Sequence, residues 1–153
     1  RAIDLRPGDA RDATAVETLM TAAFDPRYGE AWTRNQCVGV LALPGVRLTL
    51  AEVDERPVGF SLVRTVLDEA ELLLLAVDPP ARGRGVGGAL LRAAVAEVEM
   101  AGVRRLHLEV RANNDAIHLY RRHGFERLGV RPNYYRGRDG EQYDAHTYAR
   151  AIG

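Results

Sequence analysis

The sequence predicts a mixed α/β fold: a mainly antiparallel central sheet flanked by helices on both faces. Three observations predict it. Residues 71–77, Glu-Leu-Leu-Leu-Leu-Ala-Val, form a nearly unbroken apolar run of strand length, as in a strand buried on both faces. A helical pattern follows, with Val86, Leu90, Ala94, Val98 and Ala101 at helical spacing and Gly102 where a helix ends. On either side of that unit, short runs of strand character are separated by turn residues.

In order, residues 2–6 alternate apolar with polar as a first strand, which Pro7 and Gly8 end. Residues 9–24 read as a helix with Ala13, Val16, Leu19, Met20 and Ala23 inward and Asp9 or Asp12 as its cap. A loop over 25–29 leads to a second helix over 31–41. Phe24, Tyr28 and Trp32 cluster there, either as core packing or as a wall of a binding pocket. Residues 46–53 and 58–67 are two strands joined by the tight hairpin Asp54-Glu55-Arg56-Pro57. The central strand and the long helix follow. Residues 103–111 then alternate, with Leu106, Leu108 and Val110 on one side and Arg105, His107, Glu109 and Arg111 on the other. Residues 114–123 are a short helix ended by Gly124, and 125–135 with 142–152 form a last hairpin.

A chain of 153 residues implies one domain, 1–153, able to bury most of its apolar surface. With 21 basic and 21 acidic side chains the net charge is zero, so no global field favours nucleic acid or a membrane. No apolar run reaches membrane length and no signal peptide opens the sequence. One cysteine, Cys37, forms no internal disulfide and points to a reducing cytoplasm. The chain begins at Arg1 without methionine, which implies that a few residues precede it. The four histidines show no ligand spacing, so no metal is expected, and no Ser-His-Asp arrangement suggests an acyl-enzyme.

The chemistry concentrates between the central strand and the long helix, in Arg82-Gly83-Arg84-Gly85-Val86-Gly87-Gly88. Free amides at a helix N-terminus, its dipole and two arginines make a phosphate cradle. Two readings of the ligand compete. Gly83-x-Gly85-x-x-Gly88 satisfies the dinucleotide fingerprint, with Glu109 where a ribose-binding carboxylate falls, but too little chain follows for more parallel strands. The alternative frame, Arg82-x-x-Gly85-x-Gly87, resembles the pyrophosphate loop of the GNAT superfamily of N-acetyltransferases. Ala76-Val77-Asp78-Pro79, Leu108-Glu109-Val110-Arg111, Asn113, Tyr120 and Gly124-Phe125 fit that family too, and most resemble its RimI group of ribosomal-protein alanine N-acetyltransferases.

The resemblance implies a GNAT-type fold, acetyl-CoA as cosubstrate, and direct acetyl transfer to a protein N-terminal amine. It places the cofactor against Leu75, Ala76, Val77, Arg82, Gly83, Arg84, Gly85, Val86, Gly87, Gly88, Asn113 and Tyr120. Glu109 would be the base, or else a surface glutamate paired with Arg105 or Arg111. Tyr120 would be the acid, since a phenol near pKa 10 is protonated at neutral pH. Asn113, seven residues before Tyr120, would share one side of the short helix, although a contracted loop leaves Asn114 as the alternative. The oxyanion would meet a backbone amide near Val77, where the family's strands splay. Trp32, Tyr134 and Tyr135 would border the acceptor channel, with hairpin packing the other account of the tyrosines. Glu141 and Asp144 would attract a cationic amine, or else be solvated loop charge. An α-amine with pKa about 7.7 is roughly a sixth neutral at pH 7, against under about a thousandth for lysine, so a weak carboxylate base suits an N-terminus.

Overall fold

The computed structural model describes residues 2–153. Its strands are β1 (Asp4–Gly8), β2 (Val46–Val53), β3 (Arg56–Val66), β4 (Glu69–Val77), β5 (Arg105–Arg111), β6 (Glu126–Arg136) and β7 (Gln142–Ala151). Its helices are α1 (Ala13–Ala23), α2 (Arg34–Leu41), α3 (Val86–Met100) and α4 (Ala116–Arg122). Among the described residues the seven strands form one sheet in the order β1-β2-β3-β4-β5-β7-β6. Every pair is antiparallel except β4 with β5. This is the predicted element order.

Each face is covered by its own helices because each helix carries one apolar stripe. On one face Leu91 and Val98 of α3 and Tyr120 of α4 pack on Leu72, Leu106, Leu108 and Tyr148. On the other, Val16 and Met20 of α1 and Cys37 of α2 pack on Leu50, Phe60 and Leu62. No helix among the described residues is long and apolar enough to cross a membrane.

One irregularity organises the molecule. In the β3–β4 ladder Leu62 faces Leu74 and Val63 faces Leu72, so Leu73 is an extra residue in β4. The bulge reverses the alternation: Ala70, Leu72 and Leu75 join the α3 side, while Leu74 and Ala76 join the α1 side. The parallel β4–β5 pairing ends at the same place, at Leu72 opposite Leu108. Beyond it β4 follows β3 to Val77 and β5 follows β7 to Arg111, leaving a gap between them.

Several boundaries differ from the sequence reading. β1 runs through Pro7 and Gly8, because an edge strand has an unpaired side where the missing amide costs nothing. The first helix opens as a 3₁₀ turn, Ala10–Asp12, with Asp9 and Asp12 in a reciprocal capping box. α2 starts at Arg34, not at residue 31, since Thr33 and Gln36 form its capping box. The β2–β3 turn is Asp54-Glu55 alone, both at positive φ, with Arg56 and Pro57 already in β3. α4 begins at Ala116, so Asn113 and Asn114 precede it.

Candidate active site

The loop after β4 turns through a 3₁₀ segment, Pro79–Ala81, and reaches α3 through two left-handed glycines, Gly83 (φ +77°) and Gly85 (φ +85°). A Cβ at either would meet nothing within 4 Å, so backbone conformation rather than space requires glycine there. Gly85 is the N-cap of α3 and no side chain caps the helix. Its first-turn amides are therefore left for a ligand, with the dipole favouring an anion. Gly87 serves differently: its Cβ would lie 3.1 Å from Leu119, so glycine lets α4 approach α3. Arg82 lines the cleft but donates to the Ala23 carbonyl at 2.9 Å, tying α1 to the loop. Arg84 is exposed and lies outside the lining.

From this cradle a cleft of about 810 Å³ follows the β4–β5 gap. Leu75, Ala76 and Val77 form one wall, and Leu108 to Arg111 with Asn113, Asn114 and Tyr120 the other. The Asp78 amide donates to Val58 of β3 at 2.8 Å. By strand alternation the Leu75 and Val77 amides point the opposite way, into the gap. The amide near Val77 thus lies where β4 has lost its neighbour.

Glu109 and Tyr120 both line this gap. The Glu109 carboxylate, 18% exposed, forms an ion pair with Arg131 Nε on β6 at 2.7 Å, and not with Arg105 or Arg111. Arg131 is a strand apart because β7 lies between β5 and β6. Tyr120 is buried and packs edge-on against Phe125. Burial pushes its phenol above the ordinary tyrosine range, with Glu30 and Tyr135 adding to the push, so it remains a proton donor well past neutrality. Tyr135 is raised likewise, chiefly by burial and then by Glu30 and Glu109.

The residues expected to border an acceptor differ in their surroundings. Trp32 and Phe24 line the cleft and also pack against the α1–α2 core. Tyr134 is half exposed and stands edge-on to Tyr135, and both line the cleft. Asp144 accepts from the Asn133 amide at 2.9 Å, which holds the left-handed Asn133 in place. Asn114 caps α4 by accepting from the Ala116 amide, whereas Asn113 sits in the turn with its Oδ1 taking a hydrogen bond from Arg111. Their positions on a turn replace the shared helix face that the sequence suggested. Among the described residues no three His, Cys, Asp or Glu side chains gather as metal ligands.

The family model described as the acetyltransferase (GNAT) family matches residues 13–125. The chain belongs to this family. A [ribosomal protein bS18]-alanine N-acetyltransferase of Salmonella typhimurium is 44% identical over 90 residues, covering 58% of this chain and 61% of that protein. The match therefore spans about three fifths of that relative's length. A protein of the same name from Haemophilus ducreyi is 39% identical over 115 residues, 74% of this chain and 79% of that one. The crystal structure of the ribosomal-protein-S18-alanine N-acetyltransferase from Escherichia coli superposes with a TM-score of 0.89 at 31% identity, covering 99% and 95% of the two chains.

Within this GNAT architecture Glu30 escaped the sequence reading, as did the meeting of Tyr28 with Arg111. Glu30 and Tyr28 come from the segment between α1 and α2 and meet Arg111 at the end of β5. No spacing in the sequence signals a pair 81 residues apart. The surplus of polar residues around the aromatic cluster was the available hint.

Proposed function

We propose that the chain is an acetyl-CoA-dependent N-acetyltransferase acting on a protein N-terminal α-amine, an alanine of a ribosomal protein. The observation that carries this is the β4–β5 gap, flanked by Glu109 and Tyr120 and opening at one end on the uncapped amides of α3. The names of the relatives support the alanine acceptor. The cleft suits the cosubstrate: uncapped amides for a diphosphate, and unpaired strand edges with Asn113 for an amide-bearing arm.

When bound, acetyl-CoA supplies an electrophilic thioester carbonyl and a thiolate leaving group. The chain's own groups do the rest. The cradle amides of Val86, Gly87 and Gly88 anchor the diphosphate, and Leu75 to Val77 set the depth of the carbonyl. The Val77 amide, with Leu75 beside it, donates to the oxygen as it gains negative charge. Glu109, directly or through one water, takes a proton from the incoming ammonium so that the neutral amine can form the N–C bond, and the nitrogen's second surplus proton leaves to water as the amide forms. Tyr120 gives its proton to the departing sulfur as the C–S bond breaks. Trp32, Tyr134 and Tyr135 border the acceptor's approach.

The test is thiol release from acetyl-CoA with a peptide starting in alanine, beside the same peptide with a blocked N-terminus, a lysine peptide, a polyamine and an aminoglycoside. Turnover confined to free N-termini is expected. Turnover only with the small amines would make this a small-molecule acetyltransferase, and binding without turnover on any amine would make it an acyl-CoA-binding module.

A further inference from the structure

Arg111 ends β5 two residues after Glu109, and its guanidinium is held from three directions. Nε donates to Glu30 Oε1 at 3.1 Å, Nη1 donates to Asn113 Oδ1, and the guanidinium carbon lies 3.5 Å from the centroid of the Tyr28 ring. Both side chains of the Arg111–Glu30 pair keep only 9% of their surface exposed. A pair buried this far pays heavily in desolvation, so bulk stability is a poor account of it. Its partners suggest what it specifies instead. Glu30 and Tyr28 belong to the segment between α1 and α2 that lines the cleft, and Asn113 belongs to the turn after β5 that also lines it.

We propose that Arg111 is a positioning residue that couples the two halves of the cleft, fixing the acceptor wall through Glu30 and Tyr28 and the cofactor wall through Asn113. The proposal rests on the acetyl-transfer reading above. Its logic is hydrogen-bond accounting. Arg111 occupies the Asn113 carbonyl oxygen, so the amide NH₂ is what Asn113 has left to offer, and that end suits a carbonyl of the cosubstrate's arm. On the other side, the segment between α1 and α2 is tied to the sheet by long-range contacts. Glu30 holds Arg111, Tyr28 stacks edge-on against Tyr143 of β7 at 5.0 Å, and Gly29 lies against the Arg136 carbonyl so closely that no Cβ fits. Arg111 is where this strap meets the strand that carries Glu109. A lysine there keeps the charge but not the planar fork that serves a carboxylate, an amide and a ring together.

The experiment measures KM for peptide, KM for acetyl-CoA and calorimetric affinity for acetyl-CoA in Arg111→Lys, Glu30→Gln and Asn113→Ala. Glu30→Gln should raise peptide KM about tenfold or more, within the ~10²-fold range that small misplacement produces, and leave acetyl-CoA affinity unchanged. Asn113→Ala should do the reverse, and Arg111→Lys should do both while the chain stays folded. Arg111→Lys that lowers Tm without moving either constant overturns the proposal, as does movement of only one. Should Arg111→Lys not fold, the single variants decide: the separate shifts stated above support the proposal, and Glu30→Gln that leaves peptide KM unmoved or Asn113→Ala that leaves acetyl-CoA affinity unmoved overturns it. A wild type that binds acetyl-CoA but turns over no amine sinks the functional reading instead. In that case the calorimetric arm alone decides for or against Arg111.

Discussion

One end of the cleft, where the proposed reading seats the diphosphate, is lined by backbone from one contiguous stretch, the β4 bulge through the first turn of α3, whereas the other end is lined by side chains from distant parts of the chain. The first half offers amides of Leu75, Val77 and the uncapped α3 turn, positioned by Leu73, Gly83 and Gly85. The second brings together Glu30, Tyr28, Glu109, Arg131 and Tyr135 through ion pairs and ring contacts across many elements. The family match ends at residue 125, before β6 and β7, which supply Arg131, Tyr134 and Tyr135. Backbone donors tolerate almost any surrounding sequence, so on the proposed reading one cosubstrate would be held with few fixed residues. Side-chain walls change with single substitutions, and on the same reading that is where an acceptor would be chosen.

This contrast can be broken at either half. The largest expected effect is on the acceptor side: Glu109→Gln should lower kcat by ~10²–10⁴ while acetyl-CoA still binds as in the wild type. An unchanged kcat in steady-state turnover would remove Glu109 as base. Next comes Tyr120→Phe, expected to lower kcat by at least ~10² through loss of the acid. Because the folded Tyr120 pKa is raised, the protonated form persists above the usual tyrosine value of about 10. The kcat profile should therefore rise with amine deprotonation near about 7.7 and show no falling limb below pH ~10. A descending limb near neutrality, lost in Tyr120→Phe, would contradict this assignment. The same raised value means that Tyr120 contributes stability fully present below pH ~10 and lost as pH rises through the folded value, so Tm of the wild type should fall more steeply than that of Tyr120→Phe at high pH. The smallest effect is on the cofactor side. Gly85→Ala forces a Cβ into the left-handed region at roughly 1–2 kcal/mol, so acetyl-CoA affinity should fall about tenfold with kcat at saturation preserved. A fall in kcat alone would place Gly85 in chemistry rather than in binding.

The same difference decides what was readable beforehand. Residues 71–102 declared themselves because strand, loop and helix are contiguous and each has its own period or φ requirement. The alternation in β5 correctly separated Glu109 from the core, since period two survives wherever one sheet face is buried. The partner of Glu109 was not readable: Arg131 depends on the strand order β5-β7-β6, which no local pattern encodes. The start of α4 was also misplaced, because Asn114 caps from outside the helix and leaves Asn113 on a turn. The Leu73 bulge is invisible in a run of leucines, where shifting the alternation by one leaves the hydrophobic pattern unchanged.

The most direct measurement is an isothermal titration of the folded chain with acetyl-CoA. Saturable binding of one molecule per chain, displaced by free CoA and weakened in Gly85→Ala, is the predicted result. A folded chain that gives no heat of binding, or binds NADH in the presence of excess CoA, would contradict the whole account.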